Sequence, residues 1–432
     1  MQTLNSIHNQ QYPKYHSIET LTGWTYSNKA NPAGPPLFTL IIPKTQSDPF
    51  AKPTRVQLQI PPPTALFPAA LVSPPDRSRA LADYLLRALH SSCLALGADQ
   101  AASGAGWSGP KGGDVQIMKP SQHVLNQTAV TTTPDGALTV NMTISLPARG
   151  RTILGDAAAT IFAQTLPTLV RQSLLATSHN PSTLESYVLA VEDQSSLRRQ
   201  LKDHNLLAFV ADSSILPRAS GADDRPLADP TVIPFLSPSS LHTRLYLPNQ
   251  NAAITGMGIK PGVTTIVGGG FHGKSTLLDA IQMGIYDKVR GDGRDYIVTD
   301  VDAVKIRAED GRQLHATDIS PFISNLPFGK STTKFTSKDA SGSTSQAGAV
   351  MEALEMGATT LIFDEDTCAT NFMIRDAKMS ALVHAAEEPI TPYIARIRAL
   401  YTDHGISSLL VVGGAGDYLN ASDTVIKMKD YR

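Results

Sequence analysis

The stretch "GVTTIVGGGFHGKSTLLDAIQ", residues 262–282, decides the reading of this 432-residue chain. It opens as a short apolar, β-branched run (262–267), breaks into three glycines, and resumes as a helical pattern from Gly273 to Gln282. Gly268, four further residues, Gly273, Lys274 and Ser275 fit the pattern Gly-x-x-x-x-Gly-Lys-Ser/Thr. A strand, a glycine turn and a helix start in this order make an anion cradle. The glycines let successive backbone N–H groups point inward, and the helix start adds its positive dipole end. Lys274 would reach the outer phosphates of a nucleoside triphosphate. The Ser275 hydroxyl would ligate Mg²⁺, a hard cation that takes oxygen ligands. The expected ATP-binding residues are therefore Gly268, Gly269, Gly270, Phe271, His272, Gly273, Lys274, Ser275 and Thr276. Phe271 and His272 form an unusually bulky pair for such a loop.

Phosphate loops work with a second strand that ends in an acid, and "TTLIFDED" (359–366) supplies one. Apolar residues lead to Asp364, the expected second Mg²⁺ residue, and then to Glu365. Glu365 is placed to orient or deprotonate an attacking water, a general-base role. Lys274 lies 90 residues before Asp364. Between them, "DASGSTSQAGAVMEALEMGA" (339–358) reads as a Ser-Gly turn followed by a helix. That helix carries Ala347, Val350, Met351 and Leu354 on one face. The turn resembles the Leu-Ser-Gly-Gly-Gln signature of ABC-type ATPases. There the signature of one subunit caps the γ-phosphate held by the phosphate loop of another. The resemblance implies Ser341, Gly342, Ser343 and Gln346 as signature residues facing an opposing subunit. The plainer reading is an ordinary helix N-cap, for which Ser is favoured anyway.

Bulk properties set the frame. The chain is 41% hydrophobic and 17% charged, with net charge −1, as expected of a globular protein with a core. Residues 1–250 carry 19 basic against 16 acidic side chains, and residues 251–432 carry 18 against 22. This mild split offers no broad basic face for nucleic acid. No apolar run is long enough to span a membrane, and no secretory signal is evident. Cys93 and Cys368 fit neither a disulfide framework nor a metal spacing. The expected location is intracellular, the cytoplasm foremost, with mitochondrion and nucleus left open.

Along the chain, strand-like runs occur at Leu37–Ile42 and Val56–Ile60. Residues 81–89 have helical spacing. The glycine-rich stretch 101–114 lacks a Gly-Lys-Ser/Thr ending and reads as a loop. Residues 155–176 read as a helix interrupted by Pro167. Residues 191–205 read as a helix closed by a left-handed Asn205, and 206–211 as a buried strand. A loop region at about 217–250 holds six prolines. The domain boundary is expected within it, giving units 1–244 and 245–432.

Ten stretches together resemble the predicted ABC-class ATPase family of soluble proteins. In the C-terminal half these are "GMGIKPGVTTIVGGGFHGKSTLL", "GDGRDYIVTD", "VKIRAEDGR", "DISPFISNLP", "DASGSTSQAG", "DEDTCATNFMIRD" and "VVGGAGDYLNASD". In the N-terminal half they are "SDPFAKPTRV", "VEDQSSLR" and "LAFVADSSILPRASG". The resemblance implies an α/β P-loop NTPase fold of ABC type, a mixed sheet with flanking helices, behind a family-specific α+β N-terminal domain. It also implies ATP and Mg²⁺ as cofactors and a homodimer on ATP binding. "TCATN" (367–371) resembles the loop through which two such subunits communicate. Two features depart from general ABC ATPases. The strand "SSLLVV" (407–412) runs into Gly413-Gly414 with no switch histidine, for which His272 or Asp417 could substitute. No glutamine loop is evident, and Asp318 to Phe322 occupies its approximate place. Members of the family continue beyond the position of Arg432, so a C-terminal truncation is expected.

The leading functional expectation is an ATPase whose dimer closes around two ATP molecules and moves the N-terminal domains, with Lys274 and Glu365 as catalytic residues. The alternative is a nucleotide-switched protein with little hydrolysis that grips RNA, DNA or a ribonucleoprotein. Arg198, Arg199 and Lys202 share one helix and could offer a phosphate-contacting strip, although a solvated face is the plainer reading of such charges. A small-molecule kinase ranks third, because Asp364-Glu365 favours water as the acceptor.

Overall fold

The computed structural model describes residues 2–19, 23–27, 34–101, 110–326, 329–375 and 388–432. Of the glycine-rich stretch at 101–114, residues 102–109 lie outside the described residues. The chain divides into two compact units, Met1–Glu192 and Asp193–Arg432.

The first unit is built on an antiparallel sheet. Its strands are β1 (Trp24–Tyr26), β2 (Phe38–Lys44), β3 (Thr54–Ile60), β4 (Val115–Gln116), β5 (Val130–Thr132) and β6 (Leu138–Ile144). Their spatial order is β1-β2-β3-β6-β4, with β5 also paired to β6. Burial alternates along β3 and β6, so Val56, Leu58 and Ile60 share the core with Val140, Met142 and Ile144. A period of two gives the sheet one buried and one open face. Helix α1 (Pro75–Ala95) buries Leu81, Leu85 and Leu89 at the four-residue spacing that the sequence predicts. The expected interrupted helix is two short helices, Gly155–Thr160 and Leu166–Ser173, joined by a wider turn at Ile161–Thr165. Pro167 sits in the first turn of the second, where no N–H is needed.

The unit boundary falls inside helix α2 (Pro181–Asp203), which is followed by Asn205 at φ +52°, the expected left-handed residue. The second unit then runs through β7 (Ala208–Ala211), β8 (His242–Leu247), β9 (Ala252–Ile259), β10 (Val263–Val267) and α3 (Lys274–Gln282). It continues as β11 (Ile297–Thr299), β12 (Ala303–Ile306), β13 (Arg312–Thr317) and β14 (Phe335–Ala340). The last elements needed here are α4 (Gly342–Glu355), β15 (Thr360–Asp364), α5 (Ile397–His404), β16 (Ser407–Val411) and β17 (Thr424–Lys427). Residues 217–250 hold more structure than their prolines suggest. Arg218–Ser220 pairs with Asp223–Pro226, and β8, which spans residues 244 and 245, pairs along its length with β9.

Beside two two-stranded pairs, Arg218–Ser220 with Asp223–Pro226 and β13 with β14, two larger sheets form the frame of this unit. One is antiparallel, in the order β8-β9-β7-β11. The other is parallel throughout, in the order β12-β15-β16-β10-β17. Every residue of β15 and β16 is buried, as a parallel sheet covered on both faces requires. Alternate residues divide between two apolar clusters. Ile266, Ile362, Leu409 and Val411 pack with Leu277, Leu278 and Ile281 of α3. Val263, Leu361, Phe363 and Leu410 pack with Ala347 and Val350 of α4. The parallel sheet is thus sandwiched between the helix after the phosphate-loop pattern and the helix after the Ser-Gly turn.

Candidate active site

The parallel register brings the chemistry-bearing residues to one edge of the sheet. Asp364 lies opposite Val411, and Val411 lies opposite Ile266. With strands spaced at about 4.8 Å, Asp364 and Ile266 end their strands about 10 Å apart. Beyond Ile266 the chain turns over this edge as the 268–273 loop.

The loop's shape needs its glycines. Gly268 has φ +146°, and a Cβ there would sit 2.3 Å from the Met428 carbonyl oxygen. Gly273 has φ +90° and precedes α3 without any side chain to cap it. The first N–H groups of α3 therefore stay available to an outside acceptor. Lys274 Nζ donates 2.8 Å to the Gly269 carbonyl, holding its ammonium over the loop. Ser275 is exposed and Thr276 half-buried. Gly270, Phe271, Gly273, Lys274, Ser275 and Thr276 line a cavity of about 470 Å³, with Asp366 and Tyr431 on its other walls. An apolar cavity of about 320 Å³ shares Gly273, Thr276 and Tyr431, and is walled by Leu216, Leu227, Val232 and Ile233.

The two bulky loop residues part company. Phe271 is 96% exposed and adopts φ +62°, so it does not pack under the loop. His272 turns aside: its Nδ1 accepts from the Asp430 N–H at 2.7 Å and lies 3.3 Å from the Asp430 carboxylate.

On the acidic strand, Asp364 is 6% exposed, and its Oδ1 accepts from the Asp366 N–H at 3.3 Å. Glu365 is half-buried. Its Oε2 accepts from the Gly413 N–H at 2.5 Å and the Gly414 N–H at 3.1 Å. These glycines follow β16, in the place expected of a switch histidine. Asp417, the other suggested substitute, starts the short helix Tyr418–Ala421.

The Ser-Gly turn is wired differently. Ser341 is exposed, and its hydroxyl pairs with Thr344 Oγ1 at 3.0 Å. Ser343 is buried and donates to Asn371 Oδ1 at 2.9 Å. Gln346 is 0% exposed; its amide donates to the Met373 sulfur at 3.2 Å and accepts from the Ala369 N–H at 2.8 Å. Of the four expected signature residues, only Ser341 and Gly342 reach the surface, and Ser343 and Gln346 hold the 367–373 segment. Burial pushes the Cys368 thiol in that segment up to about 11, so it stays protonated at neutral pH. Sequence reading missed Asp366, Tyr431, Gly413 and Gly414. Only the glycine pair carried a signal, the absence of a histidine before it.

On α2, Arg199 and Lys202 are exposed, as a solvated face requires, and Arg198 is withdrawn from the strip. Arg198 is 12% exposed and ion-paired to Asp287 at 2.8 Å. No group of three or more His, Cys, Asp or Glu side chains among the described residues could hold a metal. Among the described residues no helix is long and apolar enough to cross a membrane.

A parallel sheet, a glycine loop at its edge and an open helix start define a P-loop nucleotide-binding domain of mixed α/β class, behind a separate N-terminal domain. Comparison with known proteins gives the family. The profile of the ABC-class ATPase P-loop domain matches residues 180–432. The profile described as the N-terminal part of ATPases of the ABC class matches residues 1–177. The chain belongs to the ABC-class ATPase family, as its motifs led us to expect. An uncharacterized protein of Methanocaldococcus jannaschii is 29% identical over 247 residues, 56% of this chain and 54% of that protein. The chain thus spans about half the length of the curated relative it matches. Among solved structures, cbiO1 from Clostridium perfringens, part of the ABC transporter complex cbiONQ, aligns with a TM-score of 0.32 at 16% identity. That alignment covers 53% of this chain and 86% of the other. A bacterial Atm1-family ABC exporter with ATP bound aligns with a TM-score of 0.29 at 15% identity, covering 66% of this chain and 49% of the other.

Proposed function

We propose that this protein binds and hydrolyses ATP with Mg²⁺ at the 268–276 loop, in a head-to-tail dimer, and uses the cycle to move its N-terminal domain. The observation that carries this reading is the open start of α3 beside a cavity of about 470 Å³, with Asp364 and Glu365 at the end of β15, two strands from β10 in the same sheet. The N–H groups at Gly273 to Thr276 and the Lys274 ammonium supply fixed positive charge for the triphosphate. The adjoining apolar cavity has room for the base and ribose. Ser275 and Asp364 offer a hydroxyl and a carboxylate, the oxygen-only donors that suit Mg²⁺ completed by phosphate and water. Mg²⁺ would neutralise charge on the outer phosphates. Glu365 would orient the attacking water and accept its proton.

In the dimer, Ser341, Gly342 and the N–H groups of the α4 start would face the partner's γ-phosphate. Ser343 and Gln346 act one step back: they fix the 367–373 segment against that start, so that closure at one site is felt at the other. Intracellular placement belongs to the same reading, and both cysteines are free.

Light scattering of Glu365→Gln with Mg·ATP tests this. A dimer that forms only with ATP and does not turn over is the expected result. ATP binding with no change in mass would remove the dimer, and unchanged hydrolysis would remove Glu365 as the base. A dimer stabilised further by added RNA would favour the nucleic-acid reading.

A further inference from the structure

Family resemblance left one role without a residue: no histidine follows β16. What the structure puts there is a pair of donors that no side chain reveals. Asp364 and Val411 are register partners on adjacent parallel strands, so the residues just after each strand meet. Those are Glu365 on one side and Gly413-Gly414 on the other. Strand β16 also lies between β15 and β10, which places the two glycines between Glu365 and the strand that feeds the phosphate loop. Both N–H groups converge on one carboxylate oxygen, Oε2. Oε1 accepts no hydrogen bond among the described residues.

We propose that the Gly413 and Gly414 N–H groups are the positioning device for Glu365, doing with main-chain donors what a histidine side chain would otherwise do. This rests on Glu365 being the general base of the proposed hydrolysis. Two donors on one oxygen fix the carboxylate plane, and the other oxygen is left to take the proton of the attacking water. Main-chain donors suit the task because they follow closely on a strand of the parallel sheet, and holding them costs no side-chain entropy. Neither position demands glycine for space. A Cβ on Gly413 would lie 3.7 Å from Glu365 Oε2, and one on Gly414 3.6 Å from Oε1, both ordinary contacts. Neither glycine has a positive φ. The N–H, not the missing side chain, is therefore the functional group.

That distinction gives the test. Gly413→Ala and Gly414→Ala keep the N–H, whereas Gly413→Pro and Gly414→Pro delete it. Expected are alanine variants within about twofold of the parent kcat. The proline variants should lose about 10- to 100-fold in kcat, as for a displaced catalytic group, with Mg·ATP affinity held within about threefold. Alanine variants that fall as far as the proline ones would overturn the proposal, and so would proline variants at the parent rate. A kcat loss matched by an equal loss of ATP affinity would mark a merely structural effect and overturn it too. Should the proline proteins not fold, amide hydrogen exchange in Glu365→Ala decides. Faster exchange confined to residues 413–414 supports the clamp, and unchanged exchange there removes it. If Glu365→Gln itself hydrolyses ATP normally, the underlying general-base reading fails, a result distinct from any failure of the clamp.

Discussion

Two helix starts in the second unit look alike in sequence and are used in opposite ways. Both α3 and α4 follow a turn of glycine or serine, and neither has a side chain capping its first N–H groups. Around the α3 start the side chains stay clear of the core: Phe271 and Ser275 are exposed, and Lys274 reaches only its own loop. At α4 the side chains turn inward, where Ser343, Ser345 and Gln346 are buried and bonded to neighbouring segments. The first start keeps its donors for a ligand. The second uses its side chains as wiring and leaves Ser341, Gly342, Thr344 and main-chain groups of its first turn at the surface. A small-residue turn at a helix start is therefore ambiguous until the burial of the next turn is known.

Lys274→Ala is expected to give the largest effect and to break the comparison if it fails. It removes a charged donor from an open anion site, which costs about 3 kcal/mol, roughly 100-fold in Mg·ATP affinity by equilibrium titration. Ser343→Ala should leave that affinity unchanged. Equal losses in both variants would mean that the two starts share one job.

Gln346→Leu sharpens the other side. It orphans the Ala369 N–H in a buried site, at a cost of about 1–3 kcal/mol. For a unit of this size that lowers Tm by roughly 2–4 °C per kcal/mol. Hydrolysis should fall about tenfold while nucleotide affinity holds within about twofold, because the wiring rather than the binding loop is cut. A matching drop in affinity would place Gln346 at the nucleotide instead.

How far the sequence could show this is visible in the same residues. The phosphate loop was legible because its conformation needs glycine at fixed places and its flanks change from an apolar, β-branched run to a helical pattern. Strand β15 and helix α4 were legible for the same reason. The inward turn of Gln346 was not, since a polar residue on a helix declares its partners only after Ala369 and Met373 have folded against it. Gly413 and Gly414 were noticed only for a histidine they lack, because a main-chain donor leaves no mark in composition. Residues 217–250 read as loop from their prolines, yet β8 pairs there with β9. Pairing across strands is set by non-local partners that local composition does not carry.

Two lysines repeat the contrast of open and committed donors. Lys274 is half-exposed, whereas Lys288 is 2% exposed and donates to the Met283 and Tyr286 carbonyls. Burial brings the Lys288 ammonium down to about 7, with Asp292 opposing the shift. From about pH 7 up to the ordinary lysine range, the unfolded chain binds this proton and the folded chain does not. Stability from this group is full above that range and is lost as pH falls through 7. Between pH 7 and 9 the gain is about 2 kcal/mol. Thermal melts of the parent against Lys288→Met should show the difference growing with pH. Parallel curves would mean that Lys288 keeps its charge.

Phe271→Gly is expected to have the smallest effect, and its sign carries the information. A bulky residue at φ +62° is a backbone outlier that costs of order 1 kcal/mol, and a 96% exposed ring recovers almost nothing by packing. Glycine accepts that conformation freely but adds freedom to the unfolded chain, which offsets about half the relief. The isolated protein should therefore gain about 0.5 kcal/mol, a rise in Tm of a degree or two. A loss above about 1 kcal/mol would show that the ring packs within its own chain. The ATP-driven association of the Glu365→Gln protein should weaken when Phe271→Gly is added. Strain held beside an open ligand site, with no return inside the molecule, is what a residue waiting for a second copy would show. Association unchanged by the ring's removal would leave Phe271 as strain without a partner, and would return the loop's bulk to His272 alone.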